Sequence, residues 1–234
     1  HMTYGIAAEA DLFARDIEIT ENGVSFELRL RNAEYIQINL RMTGMFNVYN
    51  ALSAAACALI LGVSPENVRA GLESIRSVPG RIEMLPTNTP YRVILDYAHA
   101  PDALSNILRT CRTFTKKRLI ALFGCGGDRD RTKRPEMAAI AVKYATTAVF
   151  TSDNPRHESP EAILDDMAAG LEPGARYLRI ADRAEAIRTA VMLSRPGDII
   201  LVAGKGHETY QIVGDVKHPF DDREEIKKRF ALLN

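Results

Sequence analysis

Short apolar runs alternate with helical segments from residue 81 onward, and this alternation constrains the fold more than any other feature of the sequence. Two of the runs, Val149–Phe150 and Ile199–Val202, are continuously apolar, as in strands that are covered on both faces. Strands that alternate with helices predict an α/β domain with a mostly parallel sheet and helices on both faces. The predicted strands are Arg92–Tyr97, Arg118–Gly124, Thr147–Ser152, Tyr177–Ile180 and Ile199–Ala203.

Helix starts lie between these strands, and each has a proline or a capping pattern in its first turn. After Gly204 the order changes to a hairpin around Gly214-Asp215 and a terminal helix over residues 221–233. The predicted helix starts are Pro101, Pro135, Ser159-Pro160 and Asp182, the last with Glu185 three residues later.

Residues 3–44 have the period-two alternation of half-buried strands. Val24–Leu30 and Tyr35–Leu40 alternate apolar and polar residues, and the turn at Glu21-Asn22-Gly23 pairs the first of them with Asp16–Ile19. The sequence therefore predicts a small antiparallel meander.

Two helices follow the meander. An Ala- and Leu-rich helix over Asn50–Leu61 ends at Gly62, and a second helix begins at Ser64-Pro65 and ends near Ser77. The next residues, Pro79-Gly80, predict a boundary between domains at 3–78 and 79–234.

Composition excludes several classes of function. Lys and Arg number 30 and Asp and Glu number 30, so the net charge is zero, unlike that of a non-specific nucleic-acid binder. No apolar run predicts a membrane span, and no leader marks secretion. Three widely spaced cysteines form no disulfide framework, which predicts a reduced, cytoplasmic location. Cys57, in an Ala-rich run, is expected in the core.

Polar clusters follow four of the predicted strands. The carboxyl ends of parallel strands share one edge of a sheet, and open α/β sheets bind ligands there. We therefore expect these clusters to form one site. They are residues 96–102, 124–135, 152–158 and 204–208.

Each cluster also has a purely structural interpretation. Gly124–Gly127 fits a loop with positive φ angles, and it lacks the glycine spacing of a dinucleotide site. Asp128–Arg134 fits a solvated loop, although its cations beside a helix start favour anion binding. Arg156 fits either the surface or a bidentate carboxylate contact. Asp96 and Glu208 fit turn caps as well as ligand acceptors. The histidines have no metal-site spacing, and no GxxxxGK[ST] loop occurs.

Six motifs occur in order along essentially the whole chain after His1-Met2, which resembles a cloning scar. Together they resemble the Mur ligases. The resemblance implies the last part of a central ATPase domain over 3–78, followed by a complete Rossmann-like C-terminal domain over 79–234. The motifs are Gly44–Ala51, Pro79–Glu83, Asp96–His99, Gly126–Pro135, Asp153–Glu158 and Gly204–Glu208.

The resemblance implies ATP-dependent amide formation in peptidoglycan precursor synthesis. In this reaction ATP phosphorylates the carboxylate of a UDP-N-acetylmuramoyl dipeptide, and the amine of an incoming amino acid attacks the acyl phosphate. ATP and Mg²⁺ are the implied cofactors. The family's phosphate loop, its magnesium ligands and its UDP-binding domain lie upstream, so the chain is expected to be a fragment that is inactive alone. We expect a monomer, although an unpaired sheet edge and exposed apolar surface would favour self-association of a fragment.

The nucleotide residues implied by the resemblance lie in the first half of the chain. The amides of Asn47 and Asn50 would lie near the adenine, and Arg81 would approach the phosphates. Asp96 would accept from the ribose, with Tyr97 and His99 beside the nucleotide. Of these, Arg81, Asp96 and His99 are the implied catalytic residues.

The implied amino-acid pocket lies in the second half. In the family, the sequence Asp-Asn-Pro-Arg, here 153–156, marks enzymes that add meso-diaminopimelate. Arg156 would bind the second carboxylate of that amino acid through two hydrogen bonds, and Glu208 would accept from its distal ammonium. The implied pocket residues are Arg129, Asp153, Asn154, Arg156, Gly204 and Glu208.

Two other functions stay open at this point. The missing phosphate loop fits a non-catalytic amino-acid-binding module of the same fold. A folylpolyglutamate-type amide ligase also fits the fold, although such an enzyme does not need the cluster at 153–156.

Overall fold

The alternating segments near the start of the chain form three antiparallel strands, as predicted, and a two-residue parallel strand at one edge, which was not predicted, completes a four-stranded sheet. The computed structural model describes residues 1–31, 35–86 and 89–231, which divide into an N-terminal unit (1–78) and a C-terminal unit (79–234). Sheet order in the N-terminal unit follows chain order, and the last three strands are antiparallel neighbours. The strands are β1 (Tyr4–Gly5), β2 (Leu12–Thr20), β3 (Gly23–Leu30) and β4 (Tyr35–Leu40).

Two helices, α1 (Met45–Ile60) and α2 (Pro65–Ser74), pack on this sheet. The predicted cap of α2 is confirmed, since the Ser64 hydroxyl accepts from the Asn67 amide. Helix α1 begins at Met45, five residues before the Ala- and Leu-rich stretch Asn50–Leu61, and Val48 belongs to the same buried stripe as Leu52 and Ala55.

The prediction that Cys57 packs in the core is wrong, since this residue is exposed. The buried residues of α1 lie at 48, 51, 52, 55 and 56, and position 57 lies outside that stripe. An apolar run within a helix therefore does not imply that every residue of the run is buried.

The C-terminal unit is built on a six-stranded sheet with the order β5-β6-β10-β7-β8-β9. Its five parallel strands are the five that the sequence predicted. The edge strand β5 is antiparallel and was not predicted, because three residues are too few to show a periodicity. The strands are β5 (Glu83–Leu85), β6 (Arg92–Asp96), β7 (Leu119–Phe123), β8 (Thr147–Phe150), β9 (Tyr177–Arg179) and β10 (Ile199–Ala203).

Helices cover both faces of this sheet. Val93 and Leu95 of β6 pack in a core with the last two helices, so Ile94 between them faces the opposite side, where the first helices pack. The connections are α3 (Pro101–Phe114), α4 (Lys133–Tyr144), α5 (Pro160–Ala168), α6 (Arg183–Leu193), the hairpin β11 (Tyr210–Val213) with β12 (Val216–Pro219), and α7 (Asp222–Ala231).

The predicted helix starts are confirmed at Pro101, Pro160 and Asp182, where the Asp182 carboxylate accepts from the Glu185 amide at 2.9 Å. Helix α4 begins two residues before Pro135, which lies in its first turn. Across the described ranges, no helix combines the length and the apolar character that crossing a membrane requires.

Candidate functional site

A cavity of about 270 Å³ lies at the carboxyl edge of the C-terminal sheet. Loops that follow β6, β7, β8 and β10 line it, as expected for an open α/β sheet. All six residues predicted for an amino-acid pocket line this cavity, together with Tyr97 and His99 from the predicted nucleotide group. The lining residues are Tyr97, His99, Gly126, Arg129, Lys133, Asp153, Asn154, Arg156, Gly204 and Glu208.

Glycines allow these loops to approach one another closely. A Cβ on Gly127 would lie 1.9 Å from the carbonyl oxygen of Pro155, and a Cβ on Gly204 would lie 2.6 Å from Oδ2 of Asp153. Gly204 has a φ of 110°, whereas no glycine from 124 to 127 has a positive φ. Close packing of two loops therefore explains the glycines of 124–127, and the alternative of positive φ angles is wrong.

Three cations line the cavity. Nη1 of Arg156 donates to the Gly127 carbonyl at 2.8 Å, Nη1 of Arg129 donates to the Asp128 carbonyl, and Nζ of Lys133 donates to the His99 carbonyl. In the part of the chain that the structure describes, no carboxylate forms an ion pair with Arg129, Lys133 or Arg156. Their positive charge is therefore available to a ligand.

Two carboxyl groups and an amide also line the cavity. Asp153 and Asn154 are each more than nine-tenths buried. Nδ2 of Asn154 donates to Oε2 of Glu208 at 3.0 Å. Burial raises the pKa of Asp153, and the nearby cations Arg183 and Lys205 oppose that rise. The lining of the cavity thus combines cations that form no ion pair with a described carboxylate and acidic groups.

A buried ion pair holds the strand ends behind the cavity. Arg183, at the start of α6, donates from Nε and Nη2 to the two oxygens of Asp222, both at 2.8 Å. Its remaining donors bind the carbonyls of Ser152 and Ala203, which directly precede Asp153 and Gly204. Sequence reasoning missed this pair, because the two residues are 39 positions apart.

A second network neutralises part of the cationic loop. Arg134 is completely buried and donates to both oxygens of Glu158 and to Asp166, and Arg131 also binds Asp166. The hydrogen bonds from Arg134 lower the pKa of Glu158 to about 2. The prediction that the whole loop binds an anion is therefore wrong for Arg131 and Arg134. Lys133 in the same loop does line the cavity.

The predicted catalytic residues lie near one another beside β6. The Asp96 carboxylate accepts from the amides of Ile82 and Ala98, at 2.9 and 2.8 Å, and burial raises its pKa. The Arg81 guanidinium lies 5.0 Å from the centre of the Tyr97 ring, whose centre lies 4.6 Å from that of His99. Asp96 therefore binds backbone amides, as in its alternative interpretation as a turn cap.

The other two predicted nucleotide residues lie in the N-terminal unit. Nδ2 of Asn47 donates to the Thr43 carbonyl at 2.9 Å, and Nδ2 of Asn50 donates to Oδ1 of Asn47 at 3.3 Å. Among the described side chains, no group of three or more His, Cys, Asp or Glu could hold a metal ion.

Family comparisons match both units. A model described as the Mur ligase glutamate ligase domain matches residues 80–206, and one described as the Mur ligase middle domain matches residues 1–58. A UDP-N-acetylmuramoyl-L-alanyl-D-glutamate--2,6-diaminopimelate ligase from Bacillus cereus is 49% identical over 227 residues, which are 97% of this chain and 46% of that protein. The enzyme of the same name from Lactiplantibacillus plantarum is 45% identical, over 99% of this chain and 46% of its own.

Solved structures give the same picture. A structure of a UDP-N-acetylmuramoyl-L-alanyl-D-glutamate--2,6-diaminopimelate ligase has a TM-score of 0.68 and 36% sequence identity, covering 99% of this chain and 48% of that one. The UDP-N-acetylmuramate-alanine ligase from Thermotoga maritima has a TM-score of 0.72 at 19% identity, over 100% and 48% of the two chains, which shows a common fold. The chain spans about half the length of the curated relatives it matches.

Proposed function

This chain belongs to the Mur ligase family, and on that basis we propose that its C-terminal unit holds the incoming amino acid of an ATP-dependent amide ligase. The proposed amino acid is meso-diaminopimelate, and the proposed acceptor is UDP-N-acetylmuramoyl-L-alanyl-D-glutamate. One observation carries the proposal. The cavity is lined by two arginines that form no ion pair with a described carboxylate, by the buried Asp153 and by the partly buried Glu208, a set of charges that matches an amino acid with two carboxylates and two ammonium groups.

Arg129 and Arg156 supply the positive side of this match. A guanidinium binds a carboxylate through two parallel hydrogen bonds, and each arginine can take one carboxylate of diaminopimelate. L-Lysine has only one carboxylate, so its binding would leave one of the arginines desolvated without a partner. The pocket should therefore discriminate between the two amino acids.

Asp153, Asn154 and Glu208 supply the negative side. An ammonium group in a cavity needs acceptors, and buried acceptors are stronger partners than exposed ones because water screens them less. Held at both ends, the amino acid is oriented before it reacts. Such fixed orientation is a large part of the catalysis of a two-substrate reaction.

The proposed reaction begins with transfer of the γ-phosphoryl of ATP to the acceptor carboxylate. The amine then attacks the acyl phosphate, the new C–N bond forms, and phosphate leaves. We assign Arg81, Tyr97 and His99 to the nucleotide side in the C-terminal unit, and Asn47 and Asn50 to the adenine. ATP is the proposed co-substrate in the cytoplasm. Mg²⁺ is the proposed metal cofactor of that reaction.

Calorimetric titration of this chain tests the proposed pocket. We expect meso-diaminopimelate to bind at least about tenfold more tightly than L-lysine, because one charge-assisted contact is lost with lysine. Equal binding, or tighter binding of lysine, would contradict the proposed specificity. The ligase reaction is tested separately, by joining the chain to an upstream half with a phosphate-binding loop. Absence of ATP-dependent amide formation in that protein would contradict the activity and leave the binding result intact.

A further inference from the structure

Lys205 is a buried cation that lies two residues after the end of β10 and is not among the residues that line the cavity. Its relative exposure is 0%. The ammonium donates to Oδ1 of Asn154 and to Oε2 of Glu208, both at 3.2 Å. A buried ammonium is costly to desolvate unless such partners compensate it. The fold therefore keeps the charged Lys205 ammonium in contact with Asn154 and Glu208, two residues that line the cavity.

The contacts of Lys205 close a ring. Nδ2 of Asn154 donates to Oε2 of Glu208 at 3.0 Å, which is the oxygen that Lys205 also binds. Oδ1 of Asn154 accepts from Lys205 and from the Ile212 amide at 3.0 Å. Because two donors meet Oδ1, the amide of Asn154 has one orientation only, with its NH₂ group toward Glu208.

This ring uses only one oxygen of Glu208. No residue that the structure describes donates a hydrogen bond to Oε1, and the Glu208 side chain lines the cavity with 15% exposure. One oxygen is therefore fixed by protein donors, and the other is left for a ligand donor.

Charge balance gives Lys205 a second effect. Three carboxylates, Asp153, Glu208 and Asp222, influence one another behind and along the cavity, with two buried cations among them, Arg183 and Lys205. One negative charge remains, which one ligand ammonium would balance. Without Lys205 only Arg183 would remain among them, and neighbouring carboxylates with fewer cations between them favour protonation over ionisation.

We propose that Lys205 is a positioning residue that fixes the Asn154 amide and Oε2 of Glu208, so that Oε1 is presented to the ammonium of the bound amino acid. This assignment rests on the proposed function for the identity of the ligand. The ring itself is a property of the ligand-free chain. Lys205 touches no substrate, and it acts through Asn154 and Glu208.

Lys205→Met, which has similar length and no charge, tests the ring directly. The first measurement is exchange of the Asn154 side-chain amide protons by ¹⁵N NMR in the ligand-free chain. In the wild type we expect slow exchange, because this NH₂ group is buried and bound to Glu208. In Lys205→Met we expect fast exchange. Unchanged protection would overturn the proposal, and this readout does not depend on any ligand.

Lys217→Met is the matched control. Both ammonium groups lie over the Tyr210 ring, at 4.3 Å for Lys217 and 5.7 Å for Lys205, but Lys217 is exposed and contacts neither Asn154 nor Glu208. The control should keep wild-type exchange rates and wild-type affinity. Equal effects of the two substitutions would mean that the loss comes from the aromatic contact, which would overturn the proposal.

Affinity for meso-diaminopimelate, measured by calorimetry, is the second readout. Lys205→Met should weaken it by about tenfold to a hundredfold, as for loss of a hydrogen bond to a charged group. The losses of affinity for Lys205→Met and Glu208→Gln should be less than additive in the double variant, since residues that act through one another share part of their effect. Additive losses would overturn the proposal.

Two results would require a further comparison: a variant that does not fold, and a wild-type chain that does not bind the ligand. If Lys205→Met does not fold, the double variant removes the unbalanced acid as well, and its comparison with Glu208→Gln in both measurements decides the question. If the wild-type chain does not bind meso-diaminopimelate, the proposed function fails, and the amide exchange still decides whether Lys205 positions Asn154.

Discussion

The two units bury polar side chains to very different extents. Within the described ranges, Thr43 is the only fully buried polar residue of the N-terminal unit, whereas the C-terminal unit buries ten, which include Asp96, Asp153, Arg183 and Lys205. The N-terminal unit is held by apolar contacts between a sheet and two helices. The C-terminal unit has an apolar core as well, and in addition a polar layer at the carboxyl edge of its sheet.

This difference indicates that the buried residues of the two units serve different purposes, packing in one and packing together with ligand binding in the other. Burial of apolar side chains stabilises a fold without requiring a particular pairing of residues. An apolar core therefore tolerates substitutions that conserve side-chain volume. Buried ion pairs add little net stability over apolar replacements, yet breaking one is costly. A layer of such pairs beside a cavity is therefore better explained by the need to fix ligand-binding groups than by stability alone.

Arg183→Met should have the largest effect on stability. It leaves the buried carboxylate of Asp222 without its partner, and we expect a loss of about 3–5 kcal/mol in the free energy of unfolding, measured with urea. Affinity for diaminopimelate should fall too, because Arg183 also binds the carbonyls before Asp153 and Gly204. Adding Asp222→Leu should recover part of the stability but not the affinity.

Arg179→Met is the control for that experiment. Arg179 also binds two carboxylates, Glu161 and Asp165, but all three residues lie at the surface. Exposed pairs contribute about 0–1 kcal/mol, because water already solvates the separated charges. A loss for Arg179→Met as large as for Arg183→Met would remove the distinction between buried and exposed pairs.

Leu52→Ala tests the apolar side of the comparison. Leu52 of α1 is completely buried, and its truncation should cost about 3 kcal/mol through lost contacts and a residual cavity. Hydrogen exchange should rise in peptides from 1–78, and affinity for diaminopimelate should stay unchanged. Leu61→Ala, at a position that is 83% exposed, should cost less than about 0.5 kcal/mol. Loss of ligand affinity in Leu52→Ala would contradict the assignment of the pocket to the C-terminal unit.

The sequence predicted the apolar framework better than the polar layer. The five parallel strands were predictable because continuous apolar runs mark burial on both faces. The cavity residues were named through the resemblance to the Mur ligases, with the carboxyl strand ends as independent support. Sequence could not show that Arg134 is paired internally, or that Lys205 lies behind Asn154, because a charge run does not say which carboxylate each cation will meet.

Arg156→Ala should have an intermediate effect, on binding only. It should weaken diaminopimelate affinity by about tenfold to a hundredfold, as expected for loss of a charge-assisted contact, and change lysine affinity less. In the complete ligase the KM for diaminopimelate should rise while that for ATP stays constant. Arg156 has a φ of 50°, but alanine also has a Cβ, so backbone strain is unchanged.

Arg188→Ala is the matched control for Arg156→Ala. Arg188 is exposed on α6 and binds only its neighbour Glu185. Arg188→Ala should leave the affinities for diaminopimelate and for lysine at their wild-type values. Equal losses of diaminopimelate and ATP binding in Arg156→Ala would contradict the role proposed for this arginine.

His157→Asn should have the smallest effect, visible as a change in pH dependence. Nδ1 of His157 lies 2.8 Å from Oδ2 of Asp128, and Nε2 lies 3.3 Å from Oδ1 of Asp215 in the hairpin turn. Hydrogen bonds to these carboxylates raise the pKa of His157 above its ordinary value of 6.5. A raised pKa means that the folded state favours the protonated ring. The stabilisation is therefore complete below pH 6.5 and is lost as the pH rises through the raised pKa.

The difference in unfolding free energy between wild type and His157→Asn should accordingly be larger at about pH 6 than at about pH 9. Salt should reduce it, because the ring is exposed and its ion pairs are screened. His218→Asn is the control, since His218 is exposed on β12 and forms no ion pair within the described part of the chain. If the difference for His157→Asn were constant with pH, the contacts with Asp128 and Asp215 would contribute no charge-dependent stability. The buried ion pairs alone would then stabilise the loops beside Arg156. The difference in contribution to stability between buried and exposed charges would be larger.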